Sequence, residues 1–314
     1  MSSSAVVSTR PSYRPYVAAV AEVRRLSPHF VRVVFTGPDF GMFGTAGLDQ
    51  RIKLILPLPD GTLSDIGQRD EAAIDSGDWY MIWRDLPNAT RSPLRTYTVR
   101  RIDPDARRLT VDFVVHHDAG PAGAWAEQAV PGQEIVVVGP DQRSDGYRLG
   151  LDWHPGTARR VVLAGDETAA PAICSILESL DESYEVDAFI EVPSAADRQE
   201  LVIPDGFRVS WVERGDRDHG TALTEALTDW SSTAGDVLAQ AAAPRRQELA
   251  DIDVDRDLLW DSPADSEGEF YAWIAGEAAM VKGLRRHLVQ GCGVDRKRVA
   301  FMGYWRLGQS ERQE

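Results

Sequence analysis

Arg95-Thr-Tyr-Thr-Val-Arg100, followed by Gly120-Pro-Ala-Gly-Ala-Trp-Ala126, is the part of the chain whose reading decides the fold. The first stretch is rich in β-formers and reads as a strand carrying a cation, an aromatic ring and hydroxyls. The second reads as a tight turn opening a helix, with Pro121 in the first helical turn. Side chains alternate along a strand, so Arg95 and Tyr97 share one face and Thr96, Thr98 and Arg100 the other. A guanidinium can grip phosphate oxygens in bidentate fashion. A tyrosine ring can stack on a flat heterocycle, and Thr98 can reach such a ring's edge. The first N–H groups of a helix have no partner inside it and make an anion site. Together the two stretches suit a flavin dinucleotide, flat at one end and a pyrophosphate at the other. Each also has a plainer reading: a half-exposed strand with solvated arginines, and a turn into a short helix with Trp125 in the core. His116 or His117 could touch such a cofactor or move a proton, although a histidine at a strand end is more often structural.

Working outward, the residues from Pro15 to about Pro140 form short β-rich runs. They are Tyr16-Val-Ala-Ala-Val20, Phe30-Val-Arg-Val-Val-Phe35, Arg51-Ile-Lys-Leu-Ile-Leu56, the Arg95 stretch, Leu109-Thr-Val-Asp-Phe-Val-Val115 and Glu134-Ile-Val-Val-Val138. Turn residues separate them at Gly37-Pro38, Pro59-Asp-Gly61, Asp103-Pro104 and Pro131-Gly132. This pattern predicts an antiparallel barrel or sandwich. One helix interrupts it, at about Pro121 to Gln128, and the polar stretch Gly61 to Gly77 reads as a long loop.

Beyond Arg160 strands alternate with helices. Arg160-Val-Val-Leu-Ala164, Glu185 to Val192, Phe207 to Val212, Phe270 to Ala275 and Val299 to Tyr304 read as strands. Thr168 to Leu180, Thr221 to Trp230, Ala234 to Ala250 and Ala278 to Gln290 read as helices. Such alternation predicts a doubly wound parallel sheet. The expected organisation is a disordered lead-in (1–14), an antiparallel β-barrel domain (15–145), a linker (146–159) and an α/β domain (160–314).

The 314 residues carry 43% apolar and 26% charged side chains, ordinary for a soluble globular protein with room for two cores. No apolar run is long enough for a membrane-spanning helix, and no signal peptide is expected at the N-terminus. The two cysteines, Cys174 and Cys292, predict no disulfide framework, fit a reducing cytoplasm and are too few for a thiolate-ligated iron–sulfur cluster. A formal charge of −15 argues against nucleic acid and anionic membranes. An anionic substrate would need a local basic pocket to overcome that field. No nucleophile-and-base arrangement and no metal-ligand spacing stands out. A monomer is expected.

For a second ligand, Ala164-Gly-Asp-Glu-Thr-Ala-Ala-Pro171 and Ala275-Gly-Glu-Ala-Ala279 each run from a strand into a helix. Both lie at carboxyl ends of parallel strands, where α/β sheets bind ligands. Asp166, Glu167 and Thr168, with Ala275, Gly276 and Glu277, are the candidate contacts there; the two acids could meet ribose hydroxyls or a nicotinamide amide. Glu213-Arg-Gly-Asp-Arg217 follows another strand. Arg214 would favour a 2′-phosphate and Glu213 a free 2′-hydroxyl, which leaves NADH and NADPH both open. Arg51-Ile-Lys53 places two cations on one strand face, and Arg306 lies in Gly303-Tyr-Trp-Arg306.

Arg95-Thr-Tyr-Thr-Val-Arg100, Asp112-Phe-Val-Val-His116, Gly120-Pro-Ala-x-x-Trp-Ala126 and Gly303-Tyr-Trp-Arg-x-Gly308, in register along nearly the whole chain, resemble the siderophore-interacting protein family. Its members are FAD-containing ferric-siderophore reductases, related in fold to ferredoxin–NADP reductases. The resemblance implies FAD on the barrel, with Arg95 at the phosphates and Tyr97 and Thr98 at the isoalloxazine. Ala122 and Trp125 would lie at the helix end, and Thr96, Asp112, Val114, His116, Gly120 and Pro121 would complete the site. It implies NADH or NADPH on the α/β domain as hydride donor, and single-electron transfer onward to a ferric siderophore held near Lys53, Arg51 and Arg306. The family usually offers a hydroxyl residue where this chain has Gly123, so the phosphates would rely more on backbone N–H groups. Three rival readings are a flavin reductase serving a protein partner, a siderophore-binding protein without turnover, and a structural two-domain protein with vestigial cofactor sites. The acidic segment Glu248 to Glu269 is either a lid or a solvated connection.

Overall fold

The computed structural model describes residues 10–116, 120–254, 256–264 and 266–309. His117 and the first nine residues of the expected lead-in lie outside the described residues. The chain divides into two compact units, the first running to Leu151 except for Ser27–His29, which group with the second, whose main part begins at Asp152.

The first unit is a seven-stranded sheet built from β1 (Tyr13–Ser27), β2 (Phe30–Thr36), β3 (Arg51–Ile55), β4 (Leu94–Thr98), β5 (Arg101–Asp103), β6 (Arg108–Val114) and β7 (Glu134–Pro140). Its order is β4-β3-β7-β1-β2-β6-β5, with antiparallel pairing. The run from Leu94 to Asp103 changes partner midway. Val99 N donates to Gln50 O at 2.9 Å, on the β3 side, and Arg100 N donates to Thr110 O at 3.0 Å, on the β6 side. One segment therefore borders both ends of the sheet and curls it into a barrel, which removes exposed edges.

Period-two alternation sorts this unit's apolar residues. Tyr16, Val33, Phe35, Ile52, Leu54, Val111, Phe113, Ile135 and Val137 pack in one core. Val136, Val138, Ile55 and Leu94 belong to a second cluster with Ile66 and Trp83. Strand β7 is thus buried on both faces, which explains its unbroken Ile-Val-Val-Val run. The outer cover comes from two helices in and beside the stretch expected to be a loop: α1 (Glu71–Ser76) and α2 (Trp79–Asp85). The correction has a physical reason. Helices of six and seven residues are too short to show a 3.6 period; α1 is held instead by its ends and by Ile74. Asp70 caps its N-terminus by accepting from Ala72 N, and Gly77 ends it in the left-handed region at φ 78°. The third helix, α3 (Pro121–Gln128), lies where the sequence predicts it.

The second unit is a six-stranded sheet with order β10-β9-β8-β12-β13-β11. Its strands are β8 (Arg160–Gly165), β9 (Glu185–Val192), β10 (Arg208–Glu213), β11 (Trp260–Asp261), β12 (Phe270–Glu277) and β13 (Val299–Trp305). All pairs are parallel except β11–β13, so a short antiparallel edge strand makes the sheet mixed. The helices are α4 (Ala170–Ser179), α5 (Thr221–Thr233), α6 (Gly235–Ala241) and α7 (Ala278–Arg286). Val162, Ala164, Phe189, Ala272 and Ile274 pack with residues of α5, α6 and α7. Their strand neighbours Val161, Leu163, Tyr271 and Trp273 are fully buried as well, as a doubly wound sheet requires.

The helix expected from Ala234 to Ala250 stops at Ala241. Pro244 cannot continue it and forces the residue before it out of helical geometry. The acidic segment beyond keeps acids such as Asp253, Asp257, Glu267 and Glu269 exposed while its apolar residues pack inward. Leu249, Ile252 and Val254 pack on the core, Lys282 pairs with Asp251 at 2.7 Å, and β11 pairs along the outer edge of β13. Among the described residues no helix is long and apolar enough to cross a membrane.

The chain leaves β8 toward β9 and β10 on one side, then returns to β12 and β13 on the other. The carboxyl ends of β8 and β12 therefore flank the sheet's topological switch point, where open α/β sheets take their ligands.

Candidate functional site

On the first unit, β3 and β4 pair with Arg51 opposite Thr98, Lys53 opposite Thr96, Ile52 opposite Tyr97 and Leu54 opposite Arg95. The register puts Arg51 and Lys53 on the face of the two threonines, and Arg95 and Tyr97 on the other face. Lys53 Nζ donates to Thr96 Oγ1. Arg95 is half-buried, and among the described residues its only bond runs from Nη1 to Leu94 O at 2.8 Å. In a protein with 49 acidic residues, a half-buried guanidinium that meets no carboxylate is ready for an anion brought from outside.

The Tyr97 ring is held by other rings. Its centroid is 4.5 Å from that of Phe113; Phe113 lies 5.6 Å from Trp125, and Trp125 stacks on Phe35 at 6.1 Å. Trp125 thus braces Tyr97 through Phe113 from the barrel core. Thr98 is buried, Val114 ends β6 half-buried, and His116 is exposed just beyond it. Gly120 precedes α3 in extended geometry with Pro121 at the first turn, and among the described residues no side chain caps the helix. Ala122 N and Gly123 N have no acceptor within α3. A Cβ at Gly120 would meet nothing within 4 Å, so the backbone is open to a ligand there.

Asp112 departs from the expected flavin role. Its side chain is fully buried, and both oxygens accept from Arg32, each at 2.7 Å, with Arg100 Nε at 3.7 Å. The β2–β6 register sets Arg32 directly opposite Asp112. The carboxylate is an internal counter-ion and is not presented to a cofactor.

On the second unit, the residues expected to meet nicotinamide form an internal polar cluster. Asp166 and Glu167 are both 0% exposed. Asp166 Oδ1 accepts from Thr168 N and Oγ1, and Oδ2 accepts from Glu277 N at 2.7 Å and Trp305 Nε1 at 2.9 Å. Glu167 is gripped by Arg214 through both nitrogens, at 2.9 and 3.0 Å. Arg214 also reaches Glu191 at 3.2 Å, and Glu191 accepts Gly220 N and Leu223 N at the start of α5. Glu277 caps α7 by accepting Met280 N and also accepts Leu307 N. Gly276, at φ 143°, lies so close that a Cβ would stand 2.6 Å from Asp166 Oδ2; Ala275 before it is buried. The cluster ties together the segments after β8, β10, β12 and β13.

Two expectations are corrected here. Asp166 and Glu167 do not face a ribose, because burial and internal donors hold them. Arg214 does not face outward, because a pair of buried carboxylates draws it in. His219 and Trp305 were not foreseen as members. Their rings meet edge to face at 4.9 Å, and His219 Nε2 lies 3.4 Å from Glu167 and 3.9 Å from Asp166. Nothing local marks His219, since its importance comes from acids more than fifty residues earlier in the chain.

The electrostatics follow from this packing. Burial, then the neighbouring Glu167, pushes the Asp166 carboxyl above the usual range. Burial also works to raise Glu167, but His219 and Arg214 outweigh it and hold that carboxyl down to about 2. For His219, burial works downward, and Glu167 and Asp166 outweigh it, so the imidazole is raised. Asp166, Glu167 and His219 place one ligand atom each within 4.8 Å of one another. They do not suit a metal ion, because four donors saturate Asp166 and a guanidinium occupies Glu167. A protonated imidazole suits them better.

A pH dependence follows. The folded-state value of His219 lies above its ordinary one, so its stabilisation is complete below about pH 6.5 and is lost as pH rises through the raised value. His219→Gln should lower Tm by several degrees at about pH 6, with the gap narrowing by about pH 9. A gap constant across that range, measured by calorimetry, would show that the imidazole charge contributes nothing.

Comparison with known proteins agrees with this architecture. Residues 19–144 match the siderophore-interacting FAD-binding domain, and residues 158–308 match the siderophore-interacting protein domain. The chain is 35% identical over 298 residues to an uncharacterised protein of Mycobacterium tuberculosis, covering 93% of this chain and 90% of that protein. It is 28% identical over 289 residues to an NADPH-dependent ferric-chelate reductase of Escherichia coli, covering 91% of each. A solved structure, a siderophore utilization protein from T. fusca, superposes with a TM-score of 0.68 at 31% identity, covering 96% of each chain.

Proposed function

The chain belongs to the siderophore-interacting protein family, and from that premise we propose that it binds FAD and uses a nicotinamide nucleotide to reduce ferric siderophore in the cytoplasm. The observation that carries the reading is Arg95, a half-buried cation that among the described residues meets no carboxylate, on the same barrel as a helix start that none of those residues caps. These groups fit a pyrophosphate. In this reading Arg95 and the N–H groups of Ala122 and Gly123 neutralise the phosphates. Tyr97, fixed by Phe113, offers a flat surface, and Thr98 lines its edge. Val114, His116, Gly120 and Pro121 contribute backbone and shape, and Thr96 acts with Lys53. Bound FAD would supply the exchange between a two-electron hydride donor and a one-electron metal acceptor.

On the second unit, buried Asp166, Glu167 and Arg214 act indirectly by holding the loops at the switch point. Thr168, half-buried in the loop after β8, is left to meet the nucleotide, whereas Ala275 and Gly276 are buried in β12 and shape the site from beneath. Lys53 and Arg51 are the cations proposed to receive an anionic chelate on the first unit. Arg306, whose Nη2 donates to Asp257 O, is their counterpart on the second. No protein nucleophile is needed, since the substrate gains only electrons and the siderophore keeps the iron coordinated. One hydride carries electrons for two ferric ions.

The test is anaerobic spectroscopy of the FAD-loaded protein. NADH or NADPH should bleach the flavin band and a ferric siderophore should restore it. Lys53→Ala should slow the restoring phase at low chelate concentration and leave bleaching unchanged. Failure to bind FAD, or bleaching that no ferric chelate reverses, would remove the reductase reading.

A further inference from the structure

We propose that the loop after β10 selects NADH over NADPH, with Glu213 receiving the two hydroxyls of the adenosine ribose. The inference rests on the reading that the second unit binds a nicotinamide nucleotide. A shallow, open depression of about 550 Å³ lies at this loop, lined by Trp211, Glu213, Arg214, Gly215 and Arg217 among others. It sits at the carboxyl end of a parallel strand, where this class of sheet binds ligands.

Glu213 is the last residue of β10 and is exposed. Among the described residues its carboxylate has no hydrogen-bond donor and no cation. An ionised carboxylate only accepts hydrogen bonds, so a vicinal diol is its natural partner. A 2′-phosphate would set a second anion against it.

A cation could reverse that preference, and the sequence offers two. Arg214 is unavailable. Its side chain is 13% exposed, and its guanidinium is turned to Glu167 and Glu191. Arg217 is anchored along its length. Nε donates to Arg214 O at 3.1 Å, Nη1 pairs with Glu225 at 3.1 Å, and Nη2 donates to Glu213 O. Asp216 and Asp218, both exposed, add negative charge to the same loop. This stretch therefore carries four exposed acids, Glu213, Asp216, Asp218 and Glu225, and one exposed arginine, Arg217, which pairs with Glu225. A relative named as NADPH-dependent shares only 28% identity with this chain, which leaves room for a different choice.

The experiment titrates the FAD-loaded full chain with NAD⁺ and NADP⁺ in a calorimeter, since neither can reduce flavin. NAD⁺ should bind at least about tenfold more tightly, the size of preference one hydrogen bond to a charged group provides. Glu213→Gln should weaken NAD⁺ several-fold, and Glu213→Arg should bring NADP⁺ level or ahead. Tighter NADP⁺ binding by the natural chain, or an order unmoved by both variants, overturns the proposal. So does the absence of binding by either nucleotide. Flavin bleaching, measured separately with NADH and NADPH, judges the reductase reading alone. NAD⁺ preference without bleaching would sustain this loop's role and remove the reductase.

Discussion

Arg214→Ala should destabilise the second unit by about 3–5 kcal/mol, the cost of leaving a buried charge without its partner. Glu167 and Glu191 have side chains 1% and 0% exposed, and Arg214 is the guanidinium both face. Without it two carboxylates share a low-dielectric site with Asp166 already beside them, and only His219 remains to offset the charge. For a unit of this size the loss corresponds to a fall in Tm of roughly 10 °C. Arg214→Lys should recover part of it, because it keeps the charge and loses the two-pronged grip. Calorimetric unfolding of the full chain is the measurement. A Tm within about one degree of the natural protein would mean that the guanidinium is not an internal counter-ion. It would also return Arg214 to the list of cations able to meet a 2′-phosphate, and so weaken the case for NADH.

Arg95→Ala should do the opposite, leaving the fold intact and removing cofactor affinity. Among the described residues its guanidinium makes one bond, to the neighbouring Leu94 O, so little native structure depends on it. A hydrogen bond to a charged group is worth about 1.5–3 kcal/mol, which corresponds to a loss of roughly 10- to 100-fold in FAD affinity. Flavin fluorescence quenching would read the affinity and the apoprotein Tm would read the fold. Unchanged FAD affinity would sink the assignment of Arg95 to the phosphates. Asp112→Asn is the useful contrast. It leaves Arg32 and Arg100 beside a neutral amide in a buried position, so its effect should fall on Tm and not primarily on FAD.

The sequence by itself determined the order of architectures and the places where structure begins. Period-two runs predicted the strands of the barrel, and Gly120-Pro121 predicted α3. Alternating apolar strands and helices predicted the wound sheet, because local periodicity and turn chemistry are properties of neighbours in the chain. Helices α1 and α2 escaped notice, being too short for periodicity and dependent on an outer core that includes Ile66 and Trp83. Direction escaped notice too. Arg95 and Arg214 look alike as isolated letters, yet among the described residues one meets no carboxylate and the other is drawn inward by two. Arg214 is decided by acids 47 and 23 residues away, Asp112 by an arginine 80 residues away. Whether a charged side chain serves a ligand or the protein depends on which opposite charges the fold brings within about 3 Å, a contact only tertiary structure creates.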